Sequence, residues 1–124
     1  MGSNPTSSAI NMTDTIFSNI IDKEIPSDIV YEDEKCLAFR DVNPQAPIHI
    51  LIIPKQSIAK IADSQIEDCE ILGHLLFTAG EIARQEGCGD AFRLVINNGA
   101  DAGQTVFHLH VHLLAGRPLS WPPG

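Results

Sequence analysis

One ten-residue stretch decides the fold of this chain: Val106-Phe107-His108-Leu109-His110-Val111-His112-Leu113-Leu114-Ala115. Aliphatic and polar side chains alternate along its centre, which is typical of a β-strand with one buried face. The alternation predicts a strand over residues 106–115 whose aliphatic side chains face the core. His108, His110 and His112 then line the opposite, more hydrated face.

The segments around this stretch predict two helices and four further strands. A short amphipathic helix has Asp14 as its N-cap, and a long helix begins at Asp63 or Ser64 and ends at Gly87. β-branched and aromatic runs predict strands at 29–31, 36–39, 49–53 and 92–96. The order helix, three strands, helix, two strands predicts an α+β fold, with an antiparallel sheet and the long helix on one face.

Length and composition limit the classes of protein that this chain can be. Its 124 residues suit one domain over residues 13–124, preceded by a disordered N-terminal tail over residues 1–12. The formal net charge of −8 disfavours non-specific nucleic-acid binding, and no apolar run is long enough to span a bilayer. The three cysteines are odd in number and lack Cys-x-x-Cys spacing, which favours a reducing compartment and a cytoplasmic location.

Three imidazoles on one strand face predict acid–base or nucleophilic chemistry. Neighbouring cations repel, so the histidines are expected to titrate as a coupled group with lowered pKa values. A neutral imidazole near pH 7 is a nucleophile, and a protonated neighbour can donate to a leaving group. The rival hypothesis is a metal site, in which two histidines of the strand bind zinc together with His49 or a cysteine.

Residues near the histidine stretch are candidates for binding a phosphate and a ribose. The loop over residues 97–105 is rich in glycine and asparagine and can form an anion nest, with Asn97 and Thr105 as additional donors. Asp41 follows the second strand, where a carboxylate can accept from ribose hydroxyls. Four apolar residues either wall a flat base or belong to the core: Ile16, Phe17, Ile20 and Phe39. His74, within the long helix, reads as structural or surface.

The run His108 to Leu114 resembles the His-x-His-x-His-x-x signature of the histidine triad superfamily. Further segments are similar to its Hint branch, the histidine triad nucleotide-binding proteins: Asp14-Thr15-Ile16-Phe17, Lys23-Glu24-Ile25-Pro26, Cys36-Leu37-Ala38-Phe39, Pro44-Gln45-Ala46-Pro47, Gly103-Gln104 and Trp121-Pro122-Pro123-Gly124. The resemblance covers the chain from Asp14 to its last residue. It implies the family's α+β meander and a homodimer whose two subunits share one continuous sheet.

The resemblance also implies an activity, the hydrolysis of purine nucleoside 5′-phosphoramidates to a monophosphate and an amine. No cofactor or metal is expected. His110 is the implied nucleophile, His108 orients it, His49 belongs to a proton relay and His112 contacts the phosphate. The implied phosphate-binding residues are Asn97, Gly103, Gln104 and Thr105, and Asp41 is the implied acceptor for the ribose. The implied purine walls are Ile16, Phe17, Ile20, Phe39 and Val42. Trp121 belongs to a C-terminal tail that is implied to reach toward the site of the partner subunit.

The chain departs from the branch at two positions that bear on the expected site. Thr105 stands where serine is common, which keeps the hydroxyl but adds a methyl group beside the leaving group. Arg40 stands where histidine is common, which puts the electrostatics beside Asp41 in question. Three alternative functions stay open: a metal-dependent hydrolase, a nucleotide-binding scaffold with little turnover, and a hydrolase of dinucleoside polyphosphates.

Overall fold

The computed structural model describes residues 14–124, so the predicted tail over residues 1–12 lies outside the described part. Two helices and five strands follow one another along the chain: α1 (Ile16–Ile21), β1 (Ile29–Glu32), β2 (Cys36–Arg40), β3 (Ile48–Pro54), α2 (Cys69–Gln85), β4 (Phe92–Val95) and β5 (Val111–Ala115). The strands form one sheet in the order β1-β2-β3-β5-β4, with every neighbouring pair antiparallel. The predicted α+β fold is confirmed.

Each face of the sheet packs against a different helix. On one face, side chains of β2, β3 and β5 form a core with the buried side of α2: Cys36, Ala38, Ile50, Ile52, Val111, Leu113, Leu75, Ala79 and Ile82. On the other face, a smaller core joins α1 to the alternate positions of β2 and β3: Phe17, Ile20, Leu37, Phe39, Leu51 and Ile53. His112 is paired with Leu51 in the ladder, which places the histidine on the α1 face.

The first helix begins one residue later than predicted. Thr15, and not Asp14, is the N-cap, because its hydroxyl accepts from the backbone N–H groups of Phe17 and Ser18. The Ser18 hydroxyl in turn accepts from the Thr15 N–H at 2.7 Å. This reciprocal pair is a capping box, which satisfies N–H groups that the first turn leaves open.

The predicted start of the long helix at Asp63 or Ser64 is wrong. Short 3-10 turns occupy Ile61–Asp63 and Ile66–Asp68, and α2 begins only at Cys69. Asp68 accepts from the Gln65 N–H at 2.8 Å, and Ile66 is 78% exposed, so the apolar helical pattern does not extend this far. Gly87, with φ of +80°, follows the end of α2 as predicted.

The fifth strand is shorter than predicted, since the ladder begins at Val111 and not at Val106. Leu109 donates its N–H to the carbonyl of Ile58, at 2.7 Å, instead of to a strand of the sheet. His108 and His110 therefore precede the strand, although the expected inward direction of Leu109, Val111 and Leu113 is correct.

The three cysteines are free, as the sequence predicted. No helix within residues 14–124 combines the length and the apolar character that crossing a bilayer requires.

Candidate active site

A cleft of about 300 Å³ opens between α1 and the sheet, and it collects most of the predicted residues. Nine of them line it: Ile16, Phe17, Ile20, Phe39, Asp41, Val42, Thr105, His110 and His112. Five further lining residues were not predicted: Ile25, Pro26, Ser27, Leu51 and Val106. Leu51 pairs with Phe39 across the β2–β3 ladder, so the strand register was the signal that could have identified it. Residues 25–27 follow α1 and carried no such signal.

His110 is held in the tautomer that a nucleophile requires. Its Nδ1 lies 2.7 Å from the carbonyl oxygen of His108. A carbonyl only accepts, so Nδ1 carries the proton and Nε2 keeps its lone pair. Burial is the main cause of a lowered pKa for His110, although the bond to the His108 carbonyl and the charge of Asp41 oppose it. The ring is therefore neutral near pH 7.

A chain of hydrogen bonds fixes the tautomers of two more histidines. The backbone N–H of Gln45 donates to His49 Nδ1 at 3.0 Å, so the proton of neutral His49 is on Nε2. His49 Nε2 lies 3.0 Å from His112 Nδ1 and donates to it. Neutral His112 consequently carries its proton on Nε2. Burial, followed by the neighbouring His110 and His49, lowers the pKa of His112 to about 4.

His108 acts on the site through its backbone and not through its ring. The ring donates from Nε2 to the carbonyl of Pro54 at 2.8 Å and is only 2% exposed. Its carbonyl accepts from His110 Nδ1 and so orients the His110 ring, and the orienting role in catalysis stays a prediction. The expectation of a hydrated face is wrong for His108 and for His110, which is 8% exposed. Phe17 of α1 covers both, with ring centroids 6.3 and 4.9 Å away.

The physical cause of the histidine pKa shifts differs from the expected one. The pKa values of His108, His110 and His112 are lowered, as predicted for the cluster, and the pKa of His49 is lowered too. The largest cause in each case is burial and not the mutual repulsion that the sequence suggested.

The glycine-rich loop is built mainly by its own hydrogen bonds. Gln104 is 2% exposed: its side chain accepts from the Gly99 N–H and donates to the carbonyls of Ala59 and Val106. Its backbone N–H donates to Gly99 as well. The side-chain amide and the backbone N–H of Gln104 are therefore engaged by the loop and its surroundings, and the contact of Gln104 with substrate stays a prediction.

Gly103 and Asn97 lie side by side within the loop. Gly103 has φ of +102°, and a Cβ there would come within 3.6 Å of the Asn97 amide nitrogen. The Gly103 N–H donates to the carbonyl of Ala100. Of the four loop residues predicted to bind the phosphate, Thr105 alone lines the cleft, together with His112 of β5.

One predicted site residue, Trp121, and one departure from the family pattern, Arg40, do not line the cleft. Trp121 is 80% exposed and lies against Arg93, whose guanidinium carbon is 6.0 Å from the ring centroid. Arg40 forms a two-pronged pair with Glu86 at 2.9 and 3.0 Å and lies 3.6 Å from Asp28. Arg40 is thereby engaged by acidic groups other than Asp41, so its charge is paired at the end of α2.

A metal could also be considered at the histidines, since ligand atoms of Asp41, His49 and His112 lie within 4.8 Å of one another. The tautomers argue against it. His49 Nε2 carries the proton as long as Gln45 donates to Nδ1, so Nε2 offers no lone pair to a cation. Binding a metal through His49 would first require breaking the Gln45 bond.

Comparison with known proteins places the chain in a family. The model of the HIT domain matches residues 22–119. An Arabidopsis thaliana protein named adenylylsulfatase HINT1 is 52% identical and covers 89% of this chain and 76% of its own length. A Zea mays protein named 14 kDa zinc-binding protein is 58% identical, covering 89% of this chain and 88% of its own.

Solved structures agree with the sequence comparison. The crystal structure of a HIT family hydrolase from Legionella pneumophila superimposes with a TM-score of 0.88 and 47% identity, covering 90% of this chain and all of that one. The fold and the His-x-His-x-His run that leads into β5 define a histidine triad protein. The chain belongs to the HIT superfamily, in its Hint branch.

Proposed function

We propose that this chain hydrolyses purine nucleoside 5′-phosphoramidates through a covalent nucleotidyl intermediate on His110. One observation carries the proposal: His110 lines the cleft and donates from Nδ1 to the His108 carbonyl, so its Nε2 keeps a free lone pair. Burial keeps this ring neutral near pH 7. A neutral, oriented imidazole is the form that attacks phosphorus.

The cleft walls suit a nucleoside. A flat purine fits between the apolar side chains of α1 and those of β2 and β3. Asp41 has one carboxylate oxygen engaged by the Asn43 N–H at 2.8 Å, and its other oxygen lies 3.5 Å from His49. Its side chain is partly exposed in the cleft, where it can accept from the ribose hydroxyls.

The proposed reaction is a two-step displacement at the α-phosphorus. In the first step His110 Nε2 forms a bond to phosphorus, the P–N bond breaks, and the amine leaves with a proton from solvent. His112 donates from Nε2 to a phosphoryl oxygen, and the Thr105 hydroxyl adds a second donor. In the second step water adds to phosphorus, releases its proton to solvent and frees neutral His110 with the monophosphate.

Space for the leaving group adjoins the nucleoside cleft. A larger cleft of about 530 Å³ shares Ile16, Thr105 and Val106 with the first and continues along Ser57 and Phe107. The relative named an adenylylsulfatase suggests a second leaving group, sulfate, for the same nucleophile. Parallel assays with an adenosine phosphoramidate and adenylyl sulfate decide between the two.

The test compares substitutions of two histidines in metal-free protein. His110→Asn is expected to abolish single-turnover cleavage of an adenosine phosphoramidate and to keep AMP binding in calorimetry. His74→Asn is the matched control, since that histidine lies outside the cleft, and it is expected to turn over normally. Wild-type turnover by His110→Asn contradicts the proposal, and turnover that disappears on chelation supports the metal-dependent alternative.

The same assays address the remaining alternatives. A scaffold protein binds AMP but cleaves no substrate in a single turnover. A dinucleoside polyphosphatase cleaves diadenosine triphosphate faster than the phosphoramidate.

We further propose that two chains pair along β4. This strand ends the sheet and pairs only with β5 among the described residues, and Leu76 and Phe77 of α2 are exposed. A two-fold pairing continues the sheet, covers apolar surface and brings Trp121 toward the partner's cleft. Light scattering on a sizing column is expected to give twice the chain mass, whereas a single-chain mass contradicts the pairing.

A further inference from the structure

A second cluster of metal-binding side chains lies on the face of the sheet opposite the histidine site. Asp33 and Cys36 belong to the β1–β2 hairpin, and His74 belongs to α2. One ligand atom from each of the three lies within 4.8 Å of the others. Cys36 packs in the α2 core, whereas His112 is on the α1 face, so the two sites are separate.

We propose that Asp33, Cys36 and His74 bind a borderline divalent transition-metal ion such as Zn²⁺. Thiolate and imidazole ligands select zinc-like ions over Ca²⁺ and Mg²⁺, which prefer oxygen ligands alone. Three protein ligands leave a fourth tetrahedral position for water. This inference is independent of the proposed hydrolase activity.

Asp33 is already oriented for such a role. Its Oδ1 accepts from the backbone N–H groups of Lys35 and Cys36 at 2.7 and 2.8 Å, which fixes the carboxylate against the hairpin. Its Oδ2 is directed at His74 Nε2, 2.7 Å away, and accepts from the Tyr31 hydroxyl at 2.9 Å. Tight support of a ligand by neighbouring donors is typical of metal sites.

Only small movements separate this arrangement from a tetrahedral site. Ligand atoms around zinc lie about 3.5 Å apart, at bond lengths of about 2.0 to 2.3 Å. The 2.7 Å contact between Asp33 and His74 therefore has to open, which side-chain rotations accomplish, and the Cys36 sulfur already lies within 4.8 Å of both ligand atoms. Asp33 and His74 are each about a quarter exposed, at 26% and 27%, so an ion reaches the site from solvent.

The histidine of this cluster is free to change its tautomer, unlike His49. When His74 donates to Asp33 its proton is on Nε2, and no hydrogen bond within residues 14–124 holds its Nδ1. On metal binding the proton moves to Nδ1 through solvent and Nε2 becomes a ligand. The Cys36 thiol loses its proton to solvent as the metal–sulfur bond forms, so one proton is released for each ion bound.

Cobalt(II) distinguishes this site from the histidine cleft, because a cobalt–thiolate bond absorbs in the near ultraviolet and the cleft contains no cysteine. Wild-type protein titrated with Co²⁺ is expected to show this charge-transfer band, and Zn²⁺ is expected to remove it. Cys36→Ser is expected to lose the band. Cys69→Ser and Cys88→Ser are matched controls that keep it, as is His112→Gln, which alters the other cluster.

If Cys36→Ser fails to fold, a second variant at the partly exposed His74 still tests the proposed metal site. His74 is about a quarter exposed, and His74→Gln is expected to weaken Co²⁺ binding by at least about tenfold, with an unchanged circular dichroism spectrum. Absence of the band in wild-type protein, its persistence in Cys36→Ser, or unchanged affinity in His74→Gln overturns the proposal. The proposal is also overturned if Co²⁺ binds without producing the band and this binding is lost in His112→Gln, because the ion is then in the histidine cleft.

Discussion

Phe17→Ala tests whether α1 sets the chemistry of the site by covering it. The Phe17 ring is buried and makes edge-to-face contacts with Phe39 and His110, at centroid distances of 5.5 and 4.9 Å. Truncating a buried phenylalanine costs about 3 to 5 kcal/mol. Since α1 packs at the open side of the sheet, where the cavity can fill with water, we expect a loss of about 3 kcal/mol in the free energy of unfolding.

The same substitution is expected to change the pH dependence of turnover. Burial is the main cause of the lowered His110 pKa, so exposing the ring raises that pKa toward its ordinary value. The nucleophile is active when neutral, and kcat/KM falls as the pH drops through the pKa. The acid limb of the profile in Phe17→Ala is therefore expected at higher pH than in the wild type.

Chemical denaturation and a pH profile of kcat/KM check both expectations. Phe107→Ala is the matched control, since Phe107 is a partly exposed aromatic residue that lines only the neighbouring cleft. We expect it to lose less than about 1 kcal/mol and to keep the wild-type acid limb. A folded Phe17→Ala protein with an unshifted acid limb refutes the argument that cover by α1 sets the pKa.

Three other outcomes follow from the same structure. The buried histidines have lowered pKa values, so their contribution to stability is present above about pH 6.5 and is lost as the pH falls, for His112 through about 4; denaturation midpoints that do not drop over this range contradict it. Gly116→Ala is expected to cost about 3 kcal/mol, because φ is +96° and a Cβ would lie 2.8 Å from the Cβ of Pro47. Gly87→Ala, with φ of +80° and open space, is expected to lose only about 1 kcal/mol, and equal losses in urea titrations argue against the steric clash. Arg40→Gln is expected to lower the free energy of unfolding by at most about 1 kcal/mol and to leave KM unchanged. A raised KM would instead show that Arg40 contributes to substrate binding near the ribose.

The sequence predicted the sheet well because strand alternation and strand boundaries are local signals. Leu109, Val111 and Leu113 turned inward as their alternation indicated. The predicted start positions of α2 and β5 were wrong for the same reason. At both starts, local hydrogen bonds replace the regular helix or strand bonding that the hydrophobic pattern predicted. Asp68 closes a 3-10 turn ahead of α2, and the Ile58 carbonyl takes the Leu109 N–H away from the sheet.

Sequence predicted some of the residues that meet in the cleft, but it did not predict the protonation of the histidines. The His-x-His-x-His spacing placed His110 and His112 in one cleft. Nothing in the spacing indicated that the Gln45 N–H would fix the proton of His49, since that contact depends on how the loop before β3 folds back. Gln104 shows that a polar residue close in sequence to the histidine run need not be free to bind a ligand. Its side-chain hydrogen bonds hold the loop in place.

Rapid-quench trapping tests the central claim, that the ring of His110 becomes covalently nucleotidylated. Metal-free protein is mixed with a radiolabelled adenosine phosphoramidate, quenched in base during the first turnover, digested and mapped by mass spectrometry. An adenylyl group is expected on Nε2 of His110, formed and consumed at rates that match turnover. Product that appears at the full rate with no label on this histidine contradicts the claim.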